Sequence, residues 1–398
     1  LHLSVHSFPT RRSSDLQTIL GGIYAWSIFV PHLENQGLTK AQSGTVYGIC
    51  IAVFTVAMIF GGRLLSRKGP RLTALIGGIL FALGYLVAAA SNGNYPLLFL
   101  GISVLSGAGI GFGYVCPLTV GIQWFPKNKG LITGISVAGF GGGAVVLSTA
   151  GKYFLGGGMS VTRFFMWIGI VAGGILIIAA LLLASPPSEG KSKIISRPVT
   201  SDLFSLPFFI CLFGIFVGTF AGLLVNGHLA PIIAEAGVAK GALAVSIFAA
   251  GNATGRILWG FFFDRIKYLA IPASLACLAV VLFILSITSI PWLIMACVAL
   301  IGFGFGGNFV IYASALSSHF DVASFPKLYP ICFLGYGLAG IIGPGIGGYI
   351  ADQTGSYESA LYTCIGMLAV ATLLTAAGLK VFNPEEIQDE EPLMEPAE

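Results

Sequence analysis

Apolar runs follow one another along most of this 398-residue chain, broken by short polar turns. A helix needs about 20 apolar residues to cross the hydrocarbon core of a bilayer. On that measure the pattern predicts spans at 18–34, 43–62, 71–90, 96–119, 131–156, 164–185, 205–230, 241–262, 268–287, 290–315, 328–350 and 357–379. The expected fold class is an all-α membrane protein of twelve transmembrane helices in two six-helix halves. The halves occupy 18–185 and 205–380, with a polar cytoplasmic linker at 186–204 and an acidic cytoplasmic tail at 381–398. The first span is shorter than the others and follows LHLSVHSFPTRRSSDLQ, which is neither a signal peptide nor half a membrane helix. The string FPTRRSSDL resembles translated sequencing-adapter read-through, so residues 1–17 are expected to be non-native and the first helix truncated.

Composition supports the membrane class. Apolar residues make up 56% and charged residues 9%, with a mean hydropathy of +0.91, whereas soluble domains carry roughly 25% charged residues. The 55 glycines suit closely packed membrane helices. Seven cysteines fall in apolar stretches without metal or redox spacing and read as small buried hydrophobes. Lysine and arginine set the orientation. With both termini cytoplasmic, the inner side holds Arg63, Arg67, Lys68, Arg71, Lys127, Lys129, Lys191, Lys193, Arg197, Arg265, Lys267, Lys327 and Lys380, against Lys40, Lys152, Arg163 and Lys240 outside. These loop charges account for the pI near 8.6, so nucleic acid is not an expected partner. No cofactor or metal cluster is expected, and no nucleophile, base and acid set suggests an enzyme.

One residue breaks the apolar pattern. Arg256 stands inside the run 242–263, where an ionisable group costs several kcal/mol unless it meets protein, water or a counter-charge. Asn252 lies one turn earlier on the same face. Apart from Glu34 and Glu358 at span ends, no Asp or Glu is found inside the spans, which leaves an anionic substrate as the simplest balancing charge and a structural ion-pair or gate role as the alternative.

A repeat connects the halves. GGRLLSRKGPR (61–71) follows the second span and GFFFDRIK (260–267) the eighth, placing Gly62 and Gly260 198 residues apart. This loop at two matching positions, together with the twelve spans, resembles the major facilitator superfamily over residues 18–380. The resemblance implies gating roles for Gly62 and Arg67 in the first copy and for Gly260, Asp264 and Arg265 in the second. Ser66 replaces the motif's aspartate in the first copy and Lys267 its later glycine in the second, which weakens the expected charge lock in the amino half.

Further segments narrow the resemblance. GGIYAWSIF (21–29), GFGYVCPLTVGIQWFPKNKG (111–130), GISVAGFGGGA (134–144) and GNATGRILWG (251–260) are similar to the oxalate/formate antiporter and monocarboxylate transporter branch. That similarity implies substrate binding by Arg256, with Asn252 where some relatives carry an acid. Oxalate exchangers also carry a lysine in helix eleven, and the matching residue in YPICFLGYGLAG (329–340) is Tyr336. A single buried cation suits a monoanion such as lactate, pyruvate, formate or acetate better than a dianion, and an arginine fork holds a carboxylate bidentately.

Other candidates each have a packing alternative. Tyr114 could donate its phenol to a carboxylate. Tyr24 and Trp26 flank a turn of the first helix and could line a cavity, and Phe140 matches a family position that closes on the apolar part of a substrate. Asn308 and Tyr312 form another pair four residues apart, and Tyr336 could offer a hydroxyl in place of the lysine. His228, with an unperturbed pKa of about 6.5, could couple proton and anion entry or sit neutral against Asn226 or backbone. The expected function is alternating-access transport of a small organic monoanion by a monomer in a bacterial or archaeal cell membrane, coupled to a proton. Anion exchange of the oxalate/formate type, or transport of another small solute, is the alternative.

Overall fold

The structure is a computed structural model, and it describes residues 16–186, 200–238 and 241–382. Among these residues every regular element is helical. After a 3-10 stretch, Gly21–Ile28, come α1 (Val30–Glu34), α2 (Lys40–Lys68), α3 (Pro70–Ala89), α4 (Tyr95–Trp124), α5 (Lys129–Gly156) and α6 (Val161–Leu181). The second half holds α7 (Leu206–Gly227), α8 (Gly241–Ile266), α9 (Ala270–Ile287), α10 (Pro291–His319), α11 (Phe325–Thr354) and α12 (Glu358–Ala377).

Local chemistry sets several boundaries. Thr39 Oγ1 accepts from the Gln42 amide at 3.1 Å while Gln42 Oε1 accepts from the Thr39 amide at 2.9 Å, a capping box that starts α2. The helix ends at Gly69, whose φ of 84° suits a residue without a side chain. Asn94 caps α4 by accepting from the Leu97 amide at 3.0 Å, a contact typically contributing about 1 kcal/mol.

Among the described residues ten helical stretches are long and apolar enough to cross a membrane, against the twelve spans expected. α8 and α9 run together through the one-turn link Lys267–Leu269, so Leu243–Ile287 forms one apolar stretch. The first expected span is wound as a 3-10 helix over Gly21–Ile28 and is short as an α-helix. Of the expected non-native segment, only Leu16 and Gln17 are described. Both are buried, and Gln17 Nε2 donates to the Tyr114 carbonyl at 3.0 Å. The remainder of that segment, most of the linker and the acidic tail beyond Phe382 lie outside the described residues.

Helix pairing creates a seam between the halves. α2 packs on α4, α7 on α11, and α8 on α10, while α2 also meets α11 and α5 meets α8 and α10. The α8–α10 approach depends on Gly306, where a Cβ would collide with the Asn252 carbonyl. This contact seats the Asn252–Arg256 face of α8 firmly. Large apolar side chains point outward, as at Val145, 65% exposed, and Leu373, 71% exposed. A hydrocarbon medium solvates such a surface, and helices satisfy their own backbone within it.

Candidate functional site

Arg256 is 2% exposed in the interior of α8. Its Nε donates to Asn252 Oδ1 at 2.8 Å and its Nη1 donates to the Val137 carbonyl of α5 at 2.7 Å. The guanidinium carbon also lies 4.8 Å from the centroid of the Phe309 ring on α10, within cation–π range. A guanidinium has five N–H donors, so these two bonds leave further donors, and the Tyr24 hydroxyl lies within hydrogen-bonding reach of the group. No carboxylate pairs with Arg256 among the described residues. Burying such a charge without a counter-ion costs several kcal/mol.

Aromatic rings from both halves surround the cation. The hydroxyls of Tyr24 and Tyr336 are 2.9 Å apart and share a hydrogen bond across the seam. Phe140 stands edge-on to Tyr24 at 5.2 Å and to Tyr114 at 5.0 Å between ring centroids. Phe54 packs 5.3 Å from Tyr114, and Phe333 packs 5.5 Å from Tyr114 and 5.0 Å from Tyr336. Phe309 reaches Tyr336 at 5.1 Å. Pairs in such geometries contribute about 0.5–1.5 kcal/mol beyond burial. The arrangement offers one fixed cation, a few phenol donors and apolar walls, which together suit a small carboxylate with little else that is polar.

Six of the residues singled out by sequence therefore converge: Arg256, Asn252, Tyr24, Tyr114, Phe140 and Tyr336. Asn308 and Tyr312 do not join them. Both lie buried against Gly218 and Gly214 of α7, and the Asn308 amide nitrogen donates to its own helix at Gly304 O, 3.1 Å away. Their neighbour Phe309 faces the arginine instead, because successive helical side chains point about 100° apart. Trp26 turns to α2, donating from Nε1 to the Ser43 carbonyl at 3.1 Å.

His228 lies at the far end of α7, away from this cluster. Its Nε2 is 2.8 Å from the Pro344 carbonyl and its Nδ1 is 3.0 Å from the Tyr357 hydroxyl. A carbonyl only accepts, so Nε2 donates to Pro344, while Nδ1 shares its hydrogen bond with the Tyr357 hydroxyl. The ring thus clasps α7 to α11 and to the start of α12.

Sequence reasoning missed Phe54, Phe309, Tyr329 and Phe333. The Tyr329 hydroxyl sits beside that of Tyr114 and donates to the Phe309 carbonyl at 3.4 Å. A readable signal existed in the spacing of Tyr329, Phe333 and Tyr336, which places three rings on one helical face. The others carry no mark separating them from ordinary core aromatics.

The repeated segments, wound into the last turns of α2 and α8, each pack against a helix of the other half. Asp264 accepts from the amides of Gly130 and Leu131 at 2.8 and 2.9 Å, capping α5 of the opposite half where the helix dipole favours negative charge. Gly260 and Gly130 touch so closely that a Cβ on either would strike the other's carbonyl. In the companion contact Gly62 lies against the Pro326 carbonyl of α11, but Ser66 bonds back to Gly62 O at 2.9 Å. Arg67 is exposed, and Arg265 lies over the Phe261 ring at 4.3 Å. One of the two contacts therefore carries a carboxylate cap and the other does not. Among the described residues no cluster of His, Cys, Asp and Glu could hold a metal ion.

Comparison with known proteins agrees with this architecture. The family profile of the Major Facilitator Superfamily matches residues 18–329 and 229–395. The oxalate:formate antiporter of Oxalobacter formigenes is 26% identical over 378 residues, covering 90% of this chain and 88% of its own. Monocarboxylate transporter 13 of Bos taurus is 25% identical over 369 residues, covering 86% and 80%. The crystal structure of the transporter FucP in its outward conformation superposes with a TM-score of 0.75 at 16% identity, over 93% of this chain and 98% of that one. The chain is a multi-pass membrane transporter of a small organic solute rather than an enzyme, and it belongs to the Major Facilitator Superfamily.

Proposed function

We propose that this transporter carries small monocarboxylates of the lactate, pyruvate, formate or acetate type by alternating access, coupled to a proton. The observation that carries this reading is Arg256, a buried cation with hydrogen-bonding capacity to spare and no acidic partner among the described residues. A carboxylate arriving at the free face of the guanidinium neutralises it, which lowers the cost of enclosing the site. The halves then close more readily around a loaded site than around an empty one. Tyr24 and Tyr336 orient the second carboxylate oxygen, while Phe140 and Phe333 enclose the apolar body. Asn252 holds Nε and thereby fixes the plane of the fork.

Gating follows from the same frame. With the basic loops on the cytoplasmic side, the contacts at Gly62, Gly130 and Gly260 close the inner end, and Asp264 locks that closure. A monoanion entering alone works against an inside-negative potential, so a co-transported proton makes accumulation favourable. The substrate carboxylate itself is the group available to carry it in the site.

A second reading, exchange of oxalate against formate, rests on the 26% identity to the oxalate:formate antiporter across 90% of the chain. The electrostatics favour the first reading, because Tyr336 adds no charge beside Arg256. The test is radiolabelled L-lactate uptake into proteoliposomes with and without an inward proton gradient, beside vesicles preloaded with formate and offered labelled oxalate. Gradient-driven lactate uptake supports the first reading, and formate-dependent oxalate uptake without it supports the second.

A further inference from the structure

A crevice of about 650 Å³ runs along the outside of α11, with α2 of the first half on one bank and α7 of the second on the other. Val56, Leu212, Phe213, Phe216 and Leu338 are among its walls. Its polar side chain, Thr55, is already satisfied, donating to the Ala52 carbonyl at 2.9 Å. All three helices are membrane-crossing by length and apolarity, and the crevice lies along their interior turns. The medium at that depth is hydrocarbon, so water is not the natural occupant and an apolar chain is.

The crevice is joined to the substrate site through its floor. Gly335 and Gly337 line it, and Tyr336 between them turns inward to Tyr24. A Cβ on Gly337 would come within 2.9 Å of Thr55 Oγ1, so the two halves touch here. We propose that this crevice binds one phospholipid acyl chain, wedged across the seam between α2, α7 and α11, and that its occupancy stabilises the arrangement of halves in which Tyr336 meets Tyr24. Movement of α2 relative to α7 and α11 changes the distance between the banks, so the chain binds one conformation better than another and biases the equilibrium between them. This inference depends on the membrane placement of the three helices and not on the identity of the transported solute.

The test uses the full chain in mixed micelles containing dioleoyl-phosphatidylcholine with a photoreactive diazirine at mid-chain, supplied at one lipid per transporter. After illumination, labelled peptides are mapped by mass spectrometry. The expected result is label concentrated on peptides holding Val56, Phe213 and Leu338, and its loss in A52F, which fills the crevice. V56W gives the same reading should A52F fail to fold, and I79F on the outer face of α3 retains the label. Label spread evenly over outward residues such as Val280 and Leu373, or unchanged in both crevice variants, would overturn the proposal. So would a second copy of this chain cross-linked through the crevice.

Discussion

The hydroxyl of Tyr24 lies 2.9 Å from that of Tyr336, joining the first segment of the chain to α11 beside the buried Arg256. One hydroxyl donates to the other, leaving a single O–H free for a ligand. Y336F and Y24F are each expected to raise the KM for lactate about tenfold, equivalent to ~1.4 kcal/mol. The double variant should lose little more, since one contact links the two residues. Additive losses would mean that the two phenols act independently.

Charge at position 336 sets which anion is carried. Tyr336→Lys places a second cation near Arg256, so oxalate transport should rise relative to lactate. Competition between the two labelled anions in proteoliposomes reads the ratio directly, and an unchanged ratio counts against electrostatic selection at this site.

Closure at the loop end needs small residues. G62V and G260V push a side chain into the Pro326 and Gly130 carbonyls and should hold that end open, abolishing net uptake while the protein remains folded. D264N weakens the cap on α5, and S66D supplies the carboxylate that the other contact lacks. Alkylation of T133C by a membrane-impermeant maleimide from the cytoplasmic side should quicken in D264N and slow in S66D. Equal rates in the two backgrounds would remove Asp264 from the gating account.

His228 ties α7 to α11 and to the start of α12. H228A removes bonds to Pro344 and Tyr357 and is expected to cost about 1–3 kcal/mol of stability, read as a lower melting temperature. Lactate uptake per folded molecule should keep its dependence on the proton gradient. Loss of that dependence alone would return His228 to the coupling mechanism.

Much of the fold was legible because membrane helices declare themselves by length and apolarity, and because the glycine-basic motif recurs at the ends of α2 and α8. The first segment was harder, since its Gly21–Gly22 stretch winds as a 3-10 helix against α5. Within the site Arg256 was visible as a charge in an apolar run, and Asn252 followed from helical spacing. Asn308 and Tyr312 misled because polarity marks a residue without saying which way its helix turns, and here the pair packs against glycines of α7. Phe54 and Phe333 went unnoticed because a ring beside a substrate site looks like any core ring until its neighbours across the seam are known.

Whether Arg256 holds a carboxylate substrate is read from initial uptake of radiolabelled L-lactate, driven by an inward proton gradient, in wild type, R256A and R256K. Uptake should be lost in R256A and strongly reduced in R256K, which keeps the charge without the fork, while both variants stay folded and monodisperse. Wild-type rates in a folded R256A would contradict the account.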